Sequence, residues 1–68
     1  MSDELTNKVR VYREAHGWTQ AELAERTGVS RKTVNTVENS VFVPSVIVAL
    51  RLSKALGQPV EELFRLTE

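Results

Sequence analysis

Arg31, Lys32, Asn35 and Thr36 fall within six consecutive residues that hold no acid, and from Arg26 to Val37 every charged side chain is a cation. Such groups bind rather than react. A guanidinium forks onto O6 and N7 of a guanine, an ammonium reads a guanine or neutralises a phosphate, and a threonine methyl packs against a thymine methyl. The groups that catalysis needs are missing. There is no cysteine, a single histidine (His16), no glycine-rich phosphate loop and no cluster with metal-ligand spacing, so thiol, metal and phosphoryl-transfer chemistry lack their residues. A 68-residue domain also has no room for a substrate-sized pocket. An enzyme, a cofactor, a metal and a small-molecule substrate are therefore not expected.

The overall charge balance points away from a polyanionic partner, because nine Lys and Arg are matched by nine Asp and Glu. Placement matters more. Asp3 and Glu4 make the first residues acidic, and Glu61, Glu62 and Glu68 outweigh Arg65 at the other end, which leaves eight cations against Glu14, Glu22, Glu25 and Glu38 between them. The result is a local basic patch on a neutral chain.

A chain of this length is expected to form one domain, residues 1–68. It buries only about 60% of the surface its unfolded form exposes, so oligomerisation is an open route to further stability. The longest continuous apolar run, Val46 to Leu50, is far short of the ~20 residues a bilayer requires. The acidic N-terminus lacks the apolar core of a signal peptide. With no cysteine to oxidise, the expected location is the cytoplasm, in association with the nucleoid and without a membrane partner.

Glycines and capping residues divide the sequence into five helical segments with no stretch of strand period, so the expected fold is all-α. The first helix runs from about Leu5 to His16, with Leu5, Val9, Tyr12 and His16 on one face and Gly17 as the stop. Thr19-Gln20-Ala21-Glu22 is a capping box that opens the second helix, and Gly28 ends it. Ser30 caps the third, Val29 staples onto Val34, and Val34 and Val37 face inward. After a loop from Asn39 to Pro44, Ser45 caps a fourth helix that runs to Leu56 and stops at Gly57. Pro59 starts the fifth, with Leu63 and Phe64 as its buried side. The second and third helices, joined by a tight turn centred on Gly28, must cross steeply, and small Ala24 lets their backbones approach. The third helix is thereby propped outward with Arg31, Lys32, Asn35 and Thr36 free, in a form that fits the major groove of B-DNA.

The run Gln20-Ala-Glu-Leu-Ala-Glu-Arg-Thr-Gly-Val-Ser-Arg-Lys-Thr-Val-Asn-Thr-Val-Glu-Asn39 resembles the helix-turn-helix of phage-repressor-like regulators, the Cro and lambda-repressor type also called the xenobiotic-response-element family. The likeness extends to Pro44-Ser45, Ala49-Leu50 and Glu62-Leu63-Phe64, nearly the whole chain. It implies a five-helix repressor domain without an effector domain, and it implies site residues position by position. Arg31, Lys32 and Thr36 match base-reading positions, with Thr33 and Asn35 next. Gln20 and Asn39 match phosphate contacts, and Arg13 and Glu38 match an ion pair that ties the first helix to the third. Ser30 is first a cap, with a phosphate or base contact as its further role. Arg10, like Lys8, lies where the edge of a DNA footprint would fall.

Three features depart from the family pattern. Thr27 stands where an apolar residue is common, which predicts looser packing between the second and third helices. Ser40 replaces the usual glycine after Glu-Asn and leaves the turn out of the third helix open. Val41, Val43 and Ile47 occupy usually polar positions, and six of the seven residues from Val46 to Leu52 are apolar, where one buried face needs about three. That surplus, together with Phe42, which either packs inward or joins a contact, predicts a homodimer interface of Val41, Phe42, Val43 and Ile47. Trp18, Tyr12 and Phe64 are core residues, and His16 near a helix end has no expected role beyond a small dipole interaction.

The sequence thus predicts a DNA-binding transcriptional regulator, a repressor in its simplest form, that holds double-stranded DNA as a homodimer on an inverted repeat. The alternative is a protein-interaction module, an antitoxin or anti-repressor, that uses the same scaffold on a protein partner.

Overall fold

The computed structural model describes residues 4–67; Asp3 and Glu68, which enter the charge balance above, lie outside them. Five helices alternate with turns: α1 (Val9–Ala15), α2 (Gln20–Thr27), α3 (Arg31–Glu38), α4 (Val46–Leu56) and α5 (Val60–Leu63). Local chemistry sets their ends. Thr19 Oγ1 accepts the Glu22 amide while the Glu22 carboxylate accepts the Thr19 amide, closing the capping box of α2. Ser30 and Ser45 each accept an amide of the first turn of α3 and α4. Gly28 and Gly57 close α2 and α4 in the left-handed region, where an added Cβ would be strained.

The apolar spacing then assembles one core from Val9, Leu23, Ala24, Val34, Val37, Leu52, Leu56 and Leu63, with Tyr12, Trp18, Val29, Val48, Ala55 and Phe64 packed against it. Every helix contributes. A fully buried leucine or valine stabilises by about 1.5–3 kcal/mol, whereas a cap contributes about 1, so packing holds the helices and the caps fix where they begin.

The fold is not entirely helical. Leu5–Asn7 forms a short strand, β1, paired antiparallel with β2 (Phe64–Leu66) in the register Leu5↔Leu66, Thr6↔Arg65 and Asn7↔Phe64. The all-α expectation, the helical start at Leu5 and the helical placement of Phe64 are corrected accordingly. The physical cause is Asn7, whose Oδ1 accepts the Val9 amide at 3.1 Å and whose Nδ2 donates to the Val37 carbonyl at 2.9 Å. An asparagine that accepts the amide two residues on forms an Asx turn, which holds the backbone before α1 out of the helix. The freed strand finds the chain's other end.

Two further expectations resolve here. Thr27 does not loosen the α2–α3 contact: it is buried, and its hydroxyl donates to the Leu23 carbonyl at 2.8 Å within its own helix, so no polar group is left without a partner. Ser40 adopts φ +59°, the one positive φ outside glycine among the described residues. Its amide donates to the Val37 carbonyl and the Val41 amide to the Thr36 carbonyl, the paired pattern that ends a helix through a left-handed residue. Serine thus performs the turn usually made by glycine. A left-handed non-glycine residue is strained by about 1–2 kcal/mol, and the greater unfolded freedom of glycine returns about 0.5–1 of that. Ser40→Gly is expected to raise the urea midpoint, with a gain of up to about 1 kcal/mol and an unchanged slope; a lower midpoint contradicts this assignment.

Candidate nucleic-acid interface

α2 ends at Thr27 with Gly28 as its cap and α3 begins at Arg31; the two helices pack against each other, α2 burying Leu23, Ala24 and Thr27 and α3 burying Val34 and Val37. The inner residues of α3 recur three apart, so the helix has one buried stripe and a free outer face. Arg31, Lys32 and Asn35 are exposed on it, and Thr33 and Thr36 are half-buried at its margins. Neither Arg31 nor Lys32 has an acidic partner within 4.0 Å among the described residues.

Beneath this face lies a charged cluster centred on Glu38, whose side chain is 0% exposed. Arg13 donates to both its oxygens, Nε to Oε2 at 2.6 Å and Nη2 to Oε1 at 3.2 Å, and its third nitrogen donates to the Trp18 carbonyl at 2.7 Å. The Gln20 amide donates to Oε1 at 3.0 Å, and Arg10 Nε reaches the same oxygen at 3.4 Å. Burial alone would push the Glu38 carboxyl up, but the bonds from Arg13, Gln20 and Arg10 outweigh it and hold it below its ordinary value. The Arg13 guanidinium is raised in turn, chiefly through its bond to Glu38.

The cluster orders the polar side chains around it. A carboxylate only accepts, so the Gln20 amide must turn its NH2 toward Glu38 and its oxygen outward, where it receives the Asn35 Nδ2 at 3.4 Å. Arg10 Nη2 donates to Asn39 Oδ1 at 3.4 Å, and Asn39 Nδ2 donates to the Asn35 carbonyl at 3.0 Å. Four of the site residues singled out above, Arg10, Gln20, Asn35 and Asn39, thus join in one network around the Arg13–Glu38 pair. The others stand outside it. Ser30 and Thr33 share a hydroxyl contact at 2.9 Å at the start of α3, and the Thr36 hydroxyl donates back to the Thr33 carbonyl at 3.0 Å.

Asn7 is the site-supporting residue that sequence reasoning missed. Its bond to the Val37 carbonyl braces the end of α3 from the far end of the chain. An asparagine just ahead of an apolar helical stripe is a turn signal, and it was available in the sequence. The apolar residues after α3 are exposed: Val41, Val43 and Ile47 by 77%, 71% and 64%, and Phe42 by 48%. Val46 and Leu50, on α4, are exposed as well. Phe42 also lines a groove shared with Leu5, Val37, Pro44 and Phe64.

A five-helix domain that presents a short capped helix beside a second, packed one defines a class, and comparison with known proteins places the chain in it. The helix-turn-helix family model matches residues 9–63, and the chain belongs to that family, the Cro and repressor type of transcriptional regulator. It is similar to an uncharacterized HTH-type transcriptional regulator of Methanothermobacter thermautotrophicus, 44% identical over 61 residues, 88% of each chain. It is also similar to the uncharacterized HTH-type transcriptional regulator YgzD of Bacillus subtilis, 39% identical over 64 residues, 94% of this chain and 97% of that one. Among solved structures, the restriction-modification controller protein C.AhdI from Aeromonas hydrophila superposes with a TM-score of 0.77 at 33% identity, covering 81% of this chain and 83% of that one. No described helix is long and apolar enough to cross a membrane.

Glu38 makes the fold acid-sensitive in a defined direction. Its carboxyl titrates lower in the folded chain than in the unfolded one, so its contribution is complete above the unfolded value and is lost as pH falls through the folded value. Glu38→Gln, which leaves Arg13 without its counter-charge, is expected to destabilise the domain by about 3 kcal/mol at neutral pH. It should also make the loss of stability below about pH 4.5 shallower. Glu22 and Glu62, whose carboxyls are also held low, supply the part that remains. Thermal melts of both proteins across pH 2–7 read this, and parallel acid profiles contradict it.

Proposed function

We propose that the chain is a sequence-specific DNA-binding regulator of transcription in which α2 and α3 form the helix-turn-helix. α3 lies in the major groove, and a homodimer places two such helices about one helical turn apart on an inverted repeat. The observation that carries this reading is the free face of α3. Arg31 and Lys32, without acidic partners, stand beside Asn35 and Thr36 on a helix whose other face is fixed by Val34, Val37 and the Glu38 cluster.

In this reading Arg31, Lys32, Asn35, Thr36 and Thr33 read base edges, while Gln20, Ser30, Asn39 and Arg10 set the register on the phosphates. Gln20, Asn39 and Arg10 suit that task because the network already holds them in place, so little side-chain freedom is lost on contact. Occupying a promoter and blocking it is the simplest output. The family membership and the likeness to a controller protein support a regulator.

Affinity for mixed-sequence duplex measured against salt tests the electrostatic part. A protein that neutralises phosphates loses affinity with a slope of about −0.9 per contact in log–log form. On mixed-sequence duplex, which offers no matching bases, both cations rest against phosphates, so Arg31→Ala/Lys32→Ala is expected to weaken binding and flatten the slope by up to about 2 while the melting temperature stays unchanged. A wild-type affinity indifferent to salt contradicts DNA binding and favours an apolar protein contact.

The exposed Val41, Phe42, Val43 and Ile47, with Val46 and Leu50 exposed on α4, support the dimer, since apolar surface in such excess is ordinarily covered. Ile47→Asp is expected to turn a dimer into a folded monomer in sedimentation equilibrium. An undisturbed dimer places the contact elsewhere.

A further inference from the structure

Every one of the nine Lys and Arg residues can be accounted for by position. Lys8 and Arg65 pair with Glu62, and Arg10 and Arg13 pair with Glu38. Arg31 and Lys32 occupy the free face of α3. The remaining three, Arg26, Arg51 and Lys54, line one groove of about 470 Å³ with Trp18, Thr27 and Ala55, which corrects the expectation that so short a chain has no room for a ligand-sized recess. No acidic residue lines that groove, and none of its three cations has an acidic partner within 4.0 Å among the described residues. Arg51 and Lys54 are three residues apart and so share one side of α4, where like charges repel. In a chain with as many acids as bases, such a cluster stands out.

We propose that this groove, between the end of α2 and the second half of α4, is a phosphate-binding site distinct from the face of α3. Its chemistry fits a phosphate group better than a single carboxylate. Two guanidinium forks and an ammonium match several anionic oxygens carrying nearly two charges, and Trp18 and Ala55 form the apolar side of the groove. The arginines are already placed. Arg26 lies over the Trp18 indole at 4.2 Å, and the same indole stacks with His16 at 4.3 Å. Arg51 Nη1 points at the Gly28 carbonyl from 3.5 Å, and a Cβ on Gly28 would meet it at 3.2 Å. Arg51 thus lies between the groove and the turn that joins α2 to α3. The phosphate belongs either to a free phosphorylated molecule or to a DNA backbone.

Trp18 is the single tryptophan of the chain, so its fluorescence reports on the groove directly. Inorganic phosphate titrated at constant ionic strength is expected to give a saturable change that chloride does not. Arg51→Gln/Lys54→Gln, at two exposed positions, should abolish it without altering the melt; Lys54→Gln alone, expected to weaken it several-fold, serves if the double variant unfolds. Salt-dependent binding to a mixed-sequence duplex separates the sources. An unchanged salt slope in the variant assigns the site to a free phosphorylated molecule. A Trp18 response to duplex but not to phosphate, with the variant's slope flattened by about 2, assigns it to the DNA backbone. The proposal is overturned if neither ligand gives a saturable response, if the response survives in the double variant, or if a short polyglutamate peptide gives the response and phosphate does not. Because the phosphate arm contains no DNA, its outcome is independent of what α3 contacts.

Discussion

A carboxylate buried to 0% exposure fixes the geometry of this small domain. Glu38 is tolerated there because it is met on both oxygens by Arg13 and further by Gln20 and Arg10. A buried charge with fewer partners would have to take up a proton or move. Satisfying it requires α1, the start of α2 and the end of α3 to meet at one point. The cluster adds less to net stability than its bonds suggest, since desolvating two charges offsets much of their attraction. What it supplies is position: the end of α3 sits at one place relative to α1 and α2, and the side chains around it inherit their orientation.

That constraint explains how one helix serves both core and surface. Val34 and Val37 hold α3 against the core and set which of its faces is buried, while apolar contact alone does not fix the position of the helix end to hydrogen-bond precision. Ion-pair geometry is directional, and Glu38 is the next residue after Val37. The orientation that brings Glu38 to Arg13 also exposes Arg31, Lys32 and Asn35. Asn7 adds a second fixed point from β1 by bonding the Val37 carbonyl.

How much of this could be read in the sequence follows from the range of each interaction. The capping box at Thr19, the caps at Ser30 and Ser45 and the stops at Gly28 and Gly57 depend on residues within one turn, so their types and spacing were legible. The pairing of Leu5 with Leu66 joins the ends of the chain, and two three-residue strands are too short to show a period. Asn7 was legible in type but hidden by the apolar stripe that ran on through Leu5. At the site, the outward face of α3 was legible from its residue types and the tight turn before it, and the pairing of Arg13 with Glu38 was suggested by family resemblance. The convergence of Gln20 and Arg10 on the same carboxylate was not, because nothing local marks which polar side chains a buried charge will recruit. Thr27 shows the opposite error: a hydroxyl at an apolar position looked like a flaw until its bond to the Leu23 carbonyl closed it.

In the proposed function, α3 is the element that distinguishes one DNA sequence from another. Selection from a random duplex pool at physiological salt, with sequencing of what the purified protein retains, tests this without a prior guess of the target. Enrichment of an inverted repeat with half-site centres about 10 base pairs apart is the predicted result. A folded protein that enriches no sequence would contradict it.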